Sequence, residues 1–189
     1  AAIFAQDGQD PAALALDYVN PEKGVETVED ALAGASDIIA EDLSDDATIR
    51  KALRELMNRC AVLTSKAVDP ENDSVYRLYY DFSSPISRLQ GHQILALNRG
   101  EKEEILKISI SIPGNEGSAL VCRAALKPTR VVSTFVRAAA EDAFDRLIFP
   151  SVQREMRNDL TDMAGQGAIH NFALNLKPLL MQPPVKGFV

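Results

Sequence analysis

The sequence predicts a mainly α-helical protein, a multihelical array with a long C-terminal helix and one small β element around 105–112. Most of the chain carries apolar residues at steps of three and four, which is typical of amphipathic helices. Capping residues open the first helices, at Asp10-Pro11 and at Thr27 with Asp30. The stretch from Ile105 to Ile112 instead alternates apolar and polar residues, which indicates a half-buried strand.

The first third of the chain predicts three helices in an antiparallel array. The first begins at Asp10-Pro11 and ends at Asn20-Pro21. The second begins at Thr27, and its apolar positions are expected to form one buried stripe: Val28, Ala31, Leu32, Ala35, Ile38, Ile39 and Leu43. The third begins at Ser44-Asp45-Asp46 and is expected to include Thr64 and to end before Asp69-Pro70.

The central stretch, Tyr76 to Ile112, predicts an aromatic segment, a turn near Pro85, a short helix ending near Gly100, and the strand. The segment 118–126 allows a hairpin with that strand or a helix, and its alanines favour the helix. The strand partner then has three candidates: Tyr76–Phe82, a second copy of the chain, or a part of a longer protein. The aromatic residues favour Tyr76–Phe82.

The last third predicts a helix from Val131 to Leu147 and a longer one that starts at Pro150-Ser151 and is ended or kinked by Pro178. The expected domains are a helical array with the small β element over 1–130 and a long helical hairpin over 131–182. Residues 183–189 are expected to begin a following, truncated domain, so the chain is predicted to be a piece of a longer protein.

Charge is distributed unevenly along the chain, whose net charge is −7. Residues 1–50 contain twelve acids and two bases, whereas the remainder has fifteen acids and eighteen bases. The acidic part should repel a phosphate backbone, so nucleic-acid contacts are expected only from later cations, with Arg88, Arg99 and Arg123 as candidates.

The sequence contains no pattern that indicates an enzyme, a cofactor site or a metal site. His92 and His170 lack metal-ligand spacing, and no nucleophile elbow or phosphate-binding loop is present. The acidic clusters around Glu41, Glu101 and Glu141 are expected to lie on solvated helix faces. The two cysteines, Cys60 and Cys122, are expected to be small buried hydrophobic residues rather than disulfide partners or reactive thiols. The apolar runs are too short to span a bilayer.

Two stretches of this sequence resemble the Tex family of bacterial transcription accessory proteins. One contains Tyr79-Tyr80-Asp81-Phe82-Ser83-Ser84-Pro85 and the His92-Gln93-Ile94-Leu95-Ala96-Leu97-Asn98-Arg99-Gly100-Glu101 core. The other begins Ala140-Glu141-Asp142-Ala143-Phe144-Asp145-Arg146-Leu147-Ile148-Phe149-Pro150-Ser151 and continues through Ala168–Leu176 to Pro184. Tyr18-Val19-Asn20 and Ala31-Leu32-Ala33-Gly34-Ala35 also fit the family.

The resemblance implies the helical region that precedes an RNase H-like domain in a cytoplasmic protein. It implies RNA or single-stranded nucleic acid as the partner of the full-length protein, together with the transcription machinery, and neither a membrane nor a small-molecule substrate. The expected role is a non-catalytic helical scaffold segment that braces the RNase H-like and RNA-binding parts and offers surfaces to partners. The alternative is a helical protein–protein docking module with no direct nucleic-acid contact. A small metal-dependent hydrolase is the least favoured class.

Overall fold

The computed structural model describes residues 3, 6, 10–72, 74–126, 134–182 and 187. In it, the first helices begin at the capping residues that the sequence predicts. The Asp10 carboxylate accepts the Ala12 N–H at 3.1 Å, and helix α1 spans Pro11–Ala15. Short 3₁₀ turns follow at Leu16–Tyr18 and Pro21–Lys23. These observations confirm the first helix and its break at Asn20-Pro21.

Helix α2, Val28–Asp45, begins at the predicted capping box. The Thr27 hydroxyl accepts the Asp30 N–H at 3.1 Å, and the Asp30 carboxylate accepts the Thr27 N–H at 3.0 Å. The predicted buried stripe is wrong at Ile38, which is 58% exposed, although Ile39 and Leu43 are buried. One half of the apolar surface of α2 packs against the core and the other half faces outward.

Helix α3, Ala47–Cys60, is shorter than predicted. The Asp46 carboxylate caps it by accepting the N–H groups of Thr48 and Ile49. The prediction that it includes Thr64 is wrong, because Val62–Ala67 form strand β1. The spacing from Leu56 through Cys60 to Leu63 fits a helical face. However, residues 62–67 lie between two other strands, and in the extended conformation they form hydrogen bonds to both; the β-branched residues Val62 and Thr64 also favour a strand.

Within the described residues, three strands form one antiparallel sheet in the order β2-β1-β3. Strand β2 spans Asp81–Pro85 and β3 spans Leu106–Ser111. The predicted strand at 105–112 is therefore confirmed, but its favoured partner, Tyr76–Phe82, is wrong. Strand β1 pairs with β3 on one side, as Leu63 with Ile110, and with β2 on the other.

Helix α4, Gly91–Lys102, approaches the sheet closely at Gly100. A methyl group at Gly100 would lie 2.6 Å from the Leu106 Cδ1 atom and 3.3 Å from the Tyr76 ring. Such distances are shorter than van der Waals contact, so only glycine lets the helix backbone rest on these buried side chains. The Ile105 N–H then donates to the Gly100 carbonyl at 2.9 Å and leads the chain into β3.

Helix α5, Glu116–Ala125, confirms the helical prediction for the alanine-rich segment. Val121, Cys122 and Ala125 are buried on its inner side. A methyl group at Gly117 would lie 2.5 Å from the Phe144 ring, so a second glycine permits close helix packing. Helix α5 contacts both α3 and the next helix, α6, which spans Thr134–Asp142.

Helix continues from α6 to residue 180 without the predicted restart at Pro150. A π-helical segment, Ala143–Ile148, joins α6 to helix α7, Phe149–Leu180. The Phe149 N–H reaches back five residues to the Phe144 carbonyl, and this wider turn carries the chain through the proline. Pro178 lies inside α7, which ends two residues later. The predicted helix start at Val131 lies outside the described residues.

The chain divides into two compact units, each made of two chain segments. Unit 1 comprises residues 1–61 and 112–154, and its core includes Leu53, Met57, Val121, Val136 and Ile148. Unit 2 comprises residues 62–111 and 155–189, with Leu63, Ile94, Leu97, Leu106 and Ile110 in its core. The mainly α-helical class with a long C-terminal helix is confirmed. The domain boundaries at 130 and 182 stay predictions, and residues 183–189 lie outside the described part except Gly187.

Neither cysteine forms a disulfide; Cys122 is buried and Cys60 is half-buried. Burial raises the pKa of the Cys122 thiol above its ordinary value. No helix within the described residues is both long enough and apolar enough to cross a membrane.

Replacing Gly100 with alanine should destabilise unit 2. The added methyl overlaps buried Leu106, and overpacking of this kind typically costs about 1–3 kcal/mol, offset by roughly 1 kcal/mol of gained helix propensity. Gly34→Ala in α2 is the matched control, since nothing lies within 4 Å of its added methyl. Chemical denaturation should show a lower unfolding free energy for Gly100→Ala and a slightly higher one for Gly34→Ala. Equal effects would refute the close-approach explanation.

Replacing Ser65 with alanine should leave stability unchanged or raise it by up to about 1–2 kcal/mol. Ser65 is fully buried in β1, and its hydroxyl has no hydrogen-bond partner among the residues that the structure describes. Ser109→Ala is the control, because its exposed hydroxyl lies 2.7 Å from that of Thr64 and the substitution removes this bond. A clear loss of stability in Ser65→Ala by denaturant titration would mean that the buried hydroxyl has a partner.

Candidate functional site

Helix α4 is fixed to α7 by a polar cluster within unit 2. The Arg157 guanidinium donates to both carboxylate oxygens of Glu101, at 3.0 and 2.7 Å, and to the Asn98 amide oxygen at 3.0 Å. The Asn98 amide nitrogen donates to the Thr161 hydroxyl at 2.8 Å. A two-pronged Arg–carboxylate pair restricts orientation as well as distance, so the cluster sets the rotation of α4.

Apolar contacts complete this arrangement at both ends of α4. A methyl group at Gly91 would lie 3.5 Å from the Ala164 Cα atom, so the first turn of α4 runs close to α7. Ile94 and Leu97 are buried on the same helix, and Gly100 meets the sheet as described above. The Gln93 side chain accepts the Gln90 N–H at 2.9 Å and closes the helix start.

The opposite side of α4 is exposed and carries His92 and Arg99, which are two helical turns apart and so share a face. Arg99 donates to Glu103 at 3.0 Å, one turn further on. That hydrogen bond lowers the pKa of Glu103, and a second one from the Tyr76 hydroxyl adds to the effect. Burial raises the pKa of Tyr76, as does its bond to the Glu103 carboxylate. Tyr76 therefore stays a neutral donor and Glu103 a charged acceptor at neutral pH.

The three predicted nucleic-acid contacts are all exposed, but they do not belong to one unit. Arg88 ends the 3₁₀ turn Ile86–Arg88, and Arg99 lies near the end of α4, both in unit 2. Arg123 lies on α5 in unit 1, where its Nε–H donates to the Ala119 carbonyl at 3.3 Å. Arg99 is partly neutralised by Glu103, so these cations form at most a small positive surface within either unit.

Two cations that the sequence did not single out lie on the outer face of the sheet. Lys66 and Lys107 are both exposed and stand directly opposite each other on β1 and β3, with Asp81 on the other side of Lys66. Like charges in this register repel one another, and Asp81 offsets one of them. The alternation in 106–111 placed Lys107 outward, but Lys66 could not be found while its segment was assigned to a helix.

At least one member of each acidic cluster is engaged in helix capping or ion pairing. Asp46 caps α3, Glu101 pairs with Arg157, and Asp142 pairs with Arg146 at 2.9 Å. Arg146 also pairs with Asp37 of α2. Among the residues that the structure describes, no group of three or more His, Cys, Asp or Glu side chains could hold a metal ion. Both histidines, His92 and His170, are exposed.

A long apolar surface lies on the second half of α7. After Ala164, which is buried, the described residues of this helix are exposed except half-buried Gly165 and Leu176. Ile169 is 72% exposed and Phe172 67%, and with Leu176, Leu179 and Leu180 they lie on one helical face. We call this face, Ile169 to Leu180, the α7 stripe.

Comparison with known proteins places this architecture in one family. The model of the Tex central region-like family matches residues 6–172. The chain is 40% identical to "Uncharacterized protein YdcI" of Bacillus subtilis over 93% of its length, covering 25% of that protein. It is 30% identical to "Protein tex" of Bordetella pertussis, over 97% of the chain and 25% of that protein. It is also 30% identical to human "S1 RNA-binding domain-containing protein 1", over 91% of the chain and 19% of that protein.

These relatives are four to five times as long as the segment that they share with this chain. The family model, in turn, covers most of the chain, from residue 6 to residue 172. The chain therefore belongs to the Tex central region-like family.

Proposed function

We propose that the chain is a non-catalytic helical scaffold within a Tex-type, nucleic-acid-associated protein, and that the α7 stripe is where other parts of that protein dock. The observation that carries the proposal is the exposure of Ile169, Phe172, Leu179 and Leu180 on one side of a helix whose earlier residues are packed. An apolar helical face of this length remains in water only at a cost, so a covering partner is expected.

The exposed segment of α7 is long enough to act as a rigid spacer between domains. From Gly165 to Leu180 the helix extends about 24 Å, close to the diameter of a small domain. The part of α7 that lies in unit 2 is anchored near its start, at Arg157, Thr161 and Ala164. Because this anchor orients the helix, a domain that covers the α7 stripe would be held at a defined orientation to α4 and the sheet.

The names of the relatives support the nucleic-acid association. One relative is "Transcriptional accessory protein Tex" of Neisseria gonorrhoeae, and the human relative is named for an S1 RNA-binding domain. The matched segment is only a fifth to a quarter of each protein. We place most of the RNA binding in the remainder, because this chain has 27 acids against 20 bases and Arg99 is paired with Glu103.

The non-catalytic part of the proposal is supported by the use made of the carboxylates. Asp46, Glu101 and Asp142, one from each acidic cluster, cap a helix or pair with arginine. Carboxylate oxygens that accept such bonds are already engaged in holding the fold, so these groups are suited to structure rather than to general acid catalysis.

The docking proposal predicts that the α7 stripe is covered in a protein of full family length that contains this chain. Hydrogen exchange of residues 166–180 should be at least about tenfold slower there than in the isolated chain. The double substitution Ile169→Gln with Phe172→Gln should abolish that protection, because it removes the apolar contact. Leu174→Gln is the control, since Leu174 is similarly exposed, at 55%, on the other side of the helix. Equal exchange in the long and short proteins would contradict the proposal.

The isolated chain should bind single-stranded RNA weakly, with a shallow dependence on salt. If Arg88 and one further cation contact phosphates, the slope of log K against log salt should be about −1.4. Fluorescence anisotropy with a labelled oligonucleotide at several salt concentrations measures this slope. The double substitution Arg88→Gln with Arg99→Gln should bring the slope closer to zero. Arg123→Gln, in the other unit, is the comparison. Tight binding that survives raised salt would instead make this chain a principal RNA-binding element.

A further inference from the structure

Unit 1 contains an apolar groove along α2 that the scaffold role does not use. Its volume is about 420 Å³. Helix α2 contributes a face from Asp30 through Gly34 and Ile38 to Asp42, and α1 with the 3₁₀ turn after it contributes Leu14 and Tyr18. Ile38 is 58% exposed and Tyr18 70% exposed, so large apolar side chains at this groove face water.

Small residues at the centre of the α2 face form the floor of the groove. Ala31, Gly34 and Ala35 occupy the middle of the α2 face. A methyl group built on Gly34 would have nothing within 4 Å. Glycine inside a helix costs about 0.5–1 kcal/mol relative to alanine, and here no close packing within the described residues requires it. The open space above Gly34 therefore leaves room for a group outside the described residues.

The dimensions of the groove fit a helix. Asp30 and Asp42 are twelve positions apart on α2, which corresponds to about 18 Å, or three turns of a docked helix. Small residues at the centre of a helix face let a second backbone approach closely. A helix laid into a groove buries side chains at positions i, i+3, i+4 and i+7.

The charge of the groove selects among such helices. Among the described residues that line it are two acids, Asp30 and Asp42, and no base. The surrounding sequence is acidic as well, with twelve acids and two bases in residues 1–50. A helix with basic flanks is attracted to this surface, and a helix with acidic flanks is repelled.

From the groove shape, the space above Gly34 and the acidic lining, we infer that unit 1 has a docking site for a partner's amphipathic helix, with an apolar stripe flanked by Lys or Arg. This surface differs from the α7 stripe in position and in charge. It would give the protein a second point of attachment, independent of whether the α7 stripe is covered.

The test uses the 189-residue chain and a labelled synthetic peptide of about 18 residues, a helix with a leucine stripe and lysine flanks. A peptide with the same stripe and glutamate flanks is its counterpart. Fluorescence anisotropy should show saturable binding of the lysine peptide and binding at least about tenfold weaker for the glutamate peptide. No saturable binding of the lysine peptide up to about 200 µM, or equal binding of both peptides, would overturn the proposal.

Three substitutions locate the peptide. Gly34→Leu fills the floor and should weaken binding at least about tenfold, whereas Gly34→Ala should change it by less than about twofold. Asp42→Asn should weaken the lysine peptide about threefold, as for a rim charge. Unchanged binding to Gly34→Leu would place the peptide elsewhere, for example on the α7 stripe, and would overturn the proposal.

Folding and self-association are checked in the same series. Gly34→Leu should melt no lower than the wild-type chain, since its side chain points into open space. If it does melt lower, Ile38→Lys serves as the second variant, because Ile38 is already exposed and the new charge repels the lysine peptide. If Gly34→Leu dissociates a dimer in sedimentation experiments, a second copy of the chain is the occupant, and the partner-helix proposal fails.

Discussion

The bidentate pair between Arg157 and Glu101 is the interaction on which the arrangement of unit 2 depends. Glu101 lies next to Gly100, the point where α4 touches the sheet, so one turn of helix meets α7 on one side and β3 on another. If α4 rotated, the Gly100 contact and the Arg157 bonds would be lost together. The exposed face of α4 and the direction of the anchored part of α7 are both consequences of this restriction.

The two proposed docking surfaces obtain their apolar exposure in different ways. The α7 stripe is exposed because the helix continues beyond the last residue that packs against α4, near Ala164. The α2 groove is exposed because one face of α2 turns away from the core, and small residues leave a depression in that face. A protruding helix can be covered from several directions, whereas a depression limits the size and charge of what enters it. The groove is therefore the more selective of the two surfaces.

Features that depend on neighbours in sequence were predictable. The caps at Asp10 and Thr27, the helix at 116–125 and the strand at 106–111 follow from local hydrogen bonding and periodicity. Strand β1 was not predictable, because Leu63 continues the helical spacing of α3 and only pairing with distant β2 and β3 makes it extend. Because β1 was assigned to a helix, the position of Lys66 on the exposed face of the sheet was not predicted either. The groove was concealed because apolar spacing on α2 does not say which half of the helix faces the core.

The division of unit 1 into two chain segments has a consequence for synthesis on the ribosome. Helices α1 to α3 emerge before their packing partners α5 and α6, because residues 62–111 lie between them. At about 5–20 residues per second, this interval lasts several seconds. During that time, the buried faces of α2 and α3 have no native partner from residues 112–154, while β1, β2 and β3 can already pair. There is thus a period during synthesis in which chaperone contact with residues 10–61 is most useful.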